Sequence, residues 1–89
     1  MSLISEAREK INAIDEQMVK LFEERMAAVL DVLKYKKEHN LAVFDSKREE
    51  EIIKKNIALL KNKELEKYYL DFFNSLLSVS KKYQEDNYE

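Results

Sequence analysis

Apolar residues recur along the first part of the chain on a seven-residue repeat: Ile4, Ala7, Ile11, Ile14, Met18, Leu21, Ala28, Val32 and Tyr35. No helix breaker interrupts this run, and a seam sustained over several heptads predicts one long amphipathic helix over about 3–39. Arg25 breaks the seam at a position that asks for an apolar side chain. An unpaired buried guanidinium would cost several kcal/mol, on the order of breaking a buried ion pair, so an anionic partner is expected there. The predicted helix would span roughly 50 Å at about 1.5 Å per residue, whereas a compact chain of this length has a radius of gyration of about 12 Å. Part of the seam must therefore be covered from outside the chain's own fold. A second copy of the chain is the simplest cover, which predicts an obligate homodimer.

The periodicity fades after Lys36, and His39-Asn40 is the expected stop, since Asn tolerates a left-handed conformation at a helix end. A short linker over about 40–44 follows, with Leu41, Val43 and Phe44 expected to plug into the core. The second helix, about 46–60, opens at Asp45 or Ser46. Ser46 to Glu49 fits a capping box, and Ile53, Ile57 and Leu60 form its apolar stripe. Asn62 is a candidate cap for the third helix, about 64–85, whose face carries Leu65, Tyr69, Phe72, Phe73, Leu76 and Leu77. Extending that face brings in Ser80, Tyr83 and Gln84, so polar groups enter a buried stripe near its end. Ser2 or Ser5 caps the first helix, and residues Glu85 to Glu89 are expected to fray.

Composition narrows the class to all-α. The 89 residues include no Gly, Pro or Cys, so the turn chemistry that a sheet needs is missing. With no cysteine and a single histidine, His39, neither a thiolate nor a His-rich metal site is expected. The first residues carry no signal-like pattern and no apolar run approaches the roughly 20 residues of a membrane span, so a cytoplasmic protein is expected. Net charge is −2, with acids and bases interspersed, which argues against nucleic acid as a partner. Any bound anion must be held by a local cluster.

The polar residues that interrupt the apolar faces are the candidate chemistry. Arg25 and Lys36, eleven residues apart, project from nearly the same side of the first helix, roughly 16 Å apart along its axis. Long side chains there could close on one small dianion. Taken singly, Lys36 reads as a snorkelling lysine, Asp45, Arg48 and Glu49 as the first turn of a helix, and Ser80 and Gln84 as groups satisfying each other or a backbone carbonyl. Their concurrence is what points to a site.

In order along the chain, these residues resemble the all-helical AroQ class of chorismate mutases. The matching stretches are Arg8-Glu9-Lys10-Ile11 with Asp15, Leu21 to Arg25, Val32 to Lys36, Val43 to Glu49, and Ser80 with Gln84. The resemblance implies an intertwined homodimer of three-helix chains that converts chorismate to prephenate on the route to phenylalanine and tyrosine. It implies that Arg8 of the partner chain and Arg25 hold the two carboxylates, with Arg48 and Ser80 assisting. Lys36 and Gln84 would face the ether oxygen, and Glu49 with the Asp45 backbone would take the ring hydroxyl. No metal or organic cofactor is implied, and the chain's length matches the free-standing form.

Such a rearrangement is unimolecular and pericyclic, needing neither nucleophile nor proton transfer, which suits a polar cluster without a carboxylate dyad. Catalysis would come from holding the dianion in a compact conformer and from fixed donors where charge grows on the breaking C–O bond. A million-fold acceleration requires about 8 kcal/mol from the two together. Two other readings stay open at this level: a non-catalytic dimeric helical module whose seam arginine pairs with a partner glutamate, and a ligand-binding regulator that lacks the reaction.

Overall fold

The structure, a computed structural model, describes residues 2–88 and is all-α. Helix α1 runs Leu3–Glu38, α2 Ser46–Leu59 and α3 Glu66–Asp86, with a single 3₁₀ turn at Lys63–Leu65 leading into α3. Among the described residues, no helix is long and apolar enough to cross a membrane.

Side-chain caps define the starts of α1, α2 and the 3₁₀ turn, whereas α3 begins without one. The Ser2 hydroxyl accepts from the Ser5 backbone N–H at 3.2 Å, which makes Ser2 the cap of α1. At the other end the chain reverses through Asn40, the one described residue with positive φ, at 56°. There the Leu41 N–H donates to the Lys36 carbonyl at 2.8 Å and the Asn40 N–H to the Lys37 carbonyl at 3.3 Å. This is the Schellman pairing, built on asparagine in a chain that has no glycine. Asp45, not Ser46, caps α2: its carboxylate accepts from the Arg48 N–H at 3.1 Å. Glu49 is therefore one position beyond the expected capping box, and its carboxylate serves elsewhere. Asn62 accepts from the Glu64 N–H at 3.0 Å and so caps the 3₁₀ turn.

The core within the chain is small: Leu33, Phe73 and Leu77, joined by the buried polar side chains of Ser80 and Gln84. The face of α1 turned to α3 contains Met26, Val29, Leu33 and Lys36, a stripe rotated away from the heptad seam. The seam itself is left open, with Ile11 54%, Ile14 53% and Leu21 60% exposed, and residues 3–24 are all exposed. Overall dimensions are 56 × 25 × 16 Å with a radius of gyration of 16.3 Å, well above the figure of about 12 Å for a compact chain of this length. Well over half of this chain's longest helix thus has no cover of its own.

Two sequence expectations fail here. Leu41 and Phe44 do not plug into the core but stay 45% and 56% exposed, whereas Val43 between them is half-buried, its carbonyl held by Lys36 Nζ. Nor does the whole segment after Gln84 fray: the Tyr88 hydroxyl donates to the Leu41 carbonyl at 3.1 Å and Lys37 Nζ to the Asn87 carbonyl at 3.1 Å. These bonds tie the end of α3 to the end of α1. Glu89 lies outside the described residues.

Candidate active site

The end of α1, the first turn of α2 and the last turns of α3 enclose a cavity of about 160 Å³. Seven of the eight residues singled out from the sequence line it: Arg25, Lys36, Asp45, Arg48, Glu49, Ser80 and Gln84. The helical period explains the convergence. Arg25 and Lys36 stand on the α1 face turned toward α3, Asp45 to Glu49 form the capped start of α2, and Ser80 and Gln84 are one turn apart on the buried face of α3.

Arg25 sits at the junction. Its guanidinium donates to the Ser80 hydroxyl and lies 5.8 Å from the centroid of the Phe73 ring. Among the described residues no carboxylate pairs with it, so the anion expected opposite this arginine is not supplied by its own chain. Burial pushes the guanidinium below its ordinary pKa, with the Tyr69 phenol acting weakly the other way. Arginine stays protonated in spite of this, so the structure holds a partly desolvated positive charge with most of its five N–H donors unused.

The neutral groups are fixed by backbone carbonyls and do not bond one another. The Ser80 hydroxyl donates to the Leu76 carbonyl at 2.9 Å while accepting from Arg25. Gln84 Nε2 donates to the Val29 carbonyl at 3.3 Å, which anchors an amide that is only 7% exposed. Lys36 Nζ donates to the Val43 carbonyl at 2.6 Å, tying the α1–α2 linker to the helix it leaves. Among the described residues no buried side-chain N or O atom lacks a partner.

Lys81 also lines the cavity, a residue that sequence reasoning passed over. It forms an ion pair with Glu49 at 3.2 Å. The lining thus includes four cationic side chains, Arg25, Lys36, Arg48 and Lys81, against the carboxylates of Asp45 and Glu49. That leaves a local excess of two positive charges in a chain whose net charge is −2. Nothing local marks Lys81, since its neighbours Ser80 and Lys82 give no hint that residue 49 lies opposite.

Arg8 is the exception. It stands on the exposed first half of α1, about 25 Å along the helix from Arg25 and about 100° around it, so it cannot reach this cavity from the same chain. A larger groove of about 590 Å³ adjoins Arg25 and is lined by Met18, Leu21, Phe22, Phe72, Leu76 and Val79 among others. Its walls offer little to a charged ligand and much to another apolar helix.

Compared with curated proteins and with solved structures, the chain has no significant match. A profile of the family described as chorismate mutase type II matches residues 7–85, a span that takes in α2, most of α1 and α3, and all eight candidate residues. On that match over most of its length, and with the all-helical fold to accompany it, the chain belongs to the chorismate mutase type II family, isomerases that convert chorismate to prephenate.

Proposed function

We propose that the rearrangement takes place in the cavity between α1, α2 and α3 of one chain, completed by Arg8 of a second. The observation that carries this reading is the excess of positive charge in a partly closed cavity, which suits a small dianion in sign. Arg25, steadied by Ser80 and Phe73, takes one carboxylate, and Arg48 stands across the cavity to assist. Arg8 of the partner takes the other. Lys36 and Gln84 donate to the ether oxygen as the C–O bond breaks, and Glu49 with the Asp45 backbone receives the ring hydroxyl. Arg25 is fixed by the Ser80 hydroxyl, and Lys36 and Gln84 by backbone carbonyls, so little reorganisation of these three donors is needed as charge develops.

The cavity volume supports a shared site. At about 160 Å³ it falls below the roughly 300–1,000 Å³ usual for small-molecule pockets, as half of a site would. The exposed seam and the apolar groove beside Arg25 give a second copy its place. An antiparallel pairing with the two-fold axis near Lys20 sets Arg8 of one chain level with about Val32 of the other, between Arg25 and Lys36. We place the reaction in the cytoplasm. The direct test adds chorismate, follows its ultraviolet loss and identifies the product. Prephenate formed by wild type and lost in Arg25→Ala supports the assignment, and turnover that survives Arg25→Ala refutes it.

A further inference from the structure

Lys81 joins three parts of the molecule that meet at the cavity. From α3, beside Ser80, its Nζ lies 3.2 Å from Glu49 Oε2 at the start of α2 and 4.6 Å from the centroid of the Phe44 ring in the linker. The two charged side chains are 32% and 24% exposed, a setting in which an ion pair adds little to stability. Its geometry is more informative than its strength. Glu49 has three rotatable side-chain bonds, and because Asp45 caps α2 its carboxylate has no local backbone partner to hold it. The ammonium fixes one carboxylate oxygen and leaves the other able to accept. Phe44 in turn holds the ammonium over its ring, restricting an otherwise mobile lysine.

We infer that Lys81 is a positioning residue for the reaction: it acts through Glu49, aiming the free oxygen of that carboxylate at the hydroxyl of bound chorismate. The inference rests on the role proposed above for Glu49. Misplacing a positioning group by about 1 Å can cost as much as about a hundred-fold in rate. Glu49 would remain present without Lys81, so a smaller loss is expected.

Four variants test it by steady-state kinetics on chorismate with thermal melting alongside: Lys81→Met, which keeps the stem and removes the charge, Lys81→Arg, Glu49→Ala, which removes the acceptor that Gln would keep, and the Lys81→Met/Glu49→Ala double variant. Lys81→Met should lower kcat/KM about ten-fold, mostly through KM, since a hydroxyl contact is made in the ground state as well as the transition state. Its melting temperature should stay within a few degrees of wild type. Lys81→Arg should recover most of the loss. In the Glu49→Ala background, Lys81→Met should change kcat/KM by less than about two-fold, because the group it positions is gone.

Wild-type kinetics in Lys81→Met would overturn the inference while leaving Glu49 in its role, provided Glu49→Ala is impaired. Equal losses from Lys81→Met in both backgrounds would also overturn it, since Lys81 would then act independently of Glu49. Wild-type kinetics in Glu49→Ala would remove the role of Glu49 itself and the inference with it.

Discussion

Replacing Lys36 by alanine separates a structural duty from the catalytic duty proposed for the same side chain. Its Nζ holds the linker through the Val43 carbonyl at 2.6 Å, and its charge lines the cavity where the ether oxygen of chorismate is proposed to sit. The first duty is a partly exposed hydrogen bond, so its loss should lower stability by about 1 kcal/mol. Helix termination should survive, because the bond from the Leu41 N–H uses the Lys36 backbone carbonyl and not its side chain. The second duty is stabilisation of charge that appears only as the C–O bond breaks. Removing one such donor from a site of this kind costs about 100- to 1,000-fold in kcat, or about 2.7–4 kcal/mol. Lys36→Ala should therefore lower kcat and kcat/KM together by at least about a hundred-fold, with helicity intact and a modest drop in melting temperature. Chorismate loss at saturating and limiting concentrations, together with circular dichroism, measures both. Near-normal kcat with a raised KM would show that Lys36 only shapes the linker and binds substrate, and the role proposed for it would be refuted.

Gln84→Glu should convert a pH-independent donor into one that works only when protonated, so activity should rise as pH falls; a flat rate–pH profile would remove Gln84 from the ether oxygen. Ile14→Glu places a charge on the open seam without touching the chain's own core; sedimentation should show dissociation to monomers with loss of activity, and an unchanged oligomeric state would exclude the seam as the interface. Asn40→Val puts a β-branched residue at a φ of 56° and should destabilise the fold by about 1–2 kcal/mol, measured by denaturant unfolding, whereas Asn40→Gly should be neutral or better.

Local pattern made the helices and their ends legible. A heptad run without breakers marks α1, and Asn40 stands where a glycine-free chain can most easily turn left-handed. The buried polar end of α3 follows from extending its apolar stripe by two turns. What escaped the sequence depends on pairs distant along the chain. Lys81 and Glu49 are 32 residues apart, Tyr88 and Leu41 are 47 apart, and no periodicity relates either pair. The cap of α2 was ambiguous for a different reason: Asp45 and Ser46 are both good caps, and the choice between them depends on where the Schellman turn delivers the chain. The seam is apolar, yet the α1 face that packs on α3 is another stripe, Met26, Val29 and Leu33, set at a different angle around the helix.

The central claim is that each active site draws on two chains, and subunit mixing tests it most directly. Arg8→Ala and Arg25→Ala homodimers should each be nearly inactive, since every site lacks one carboxylate clamp. In a mixed dimer, one site collects both lesions and the other collects neither. Random reassortment of equal amounts makes about half of the dimers mixed, each with one intact site of two, so about a quarter of wild-type activity should return. No recovery, despite verified subunit exchange, would mean that Arg8 does not act across the interface and would contradict the shared site.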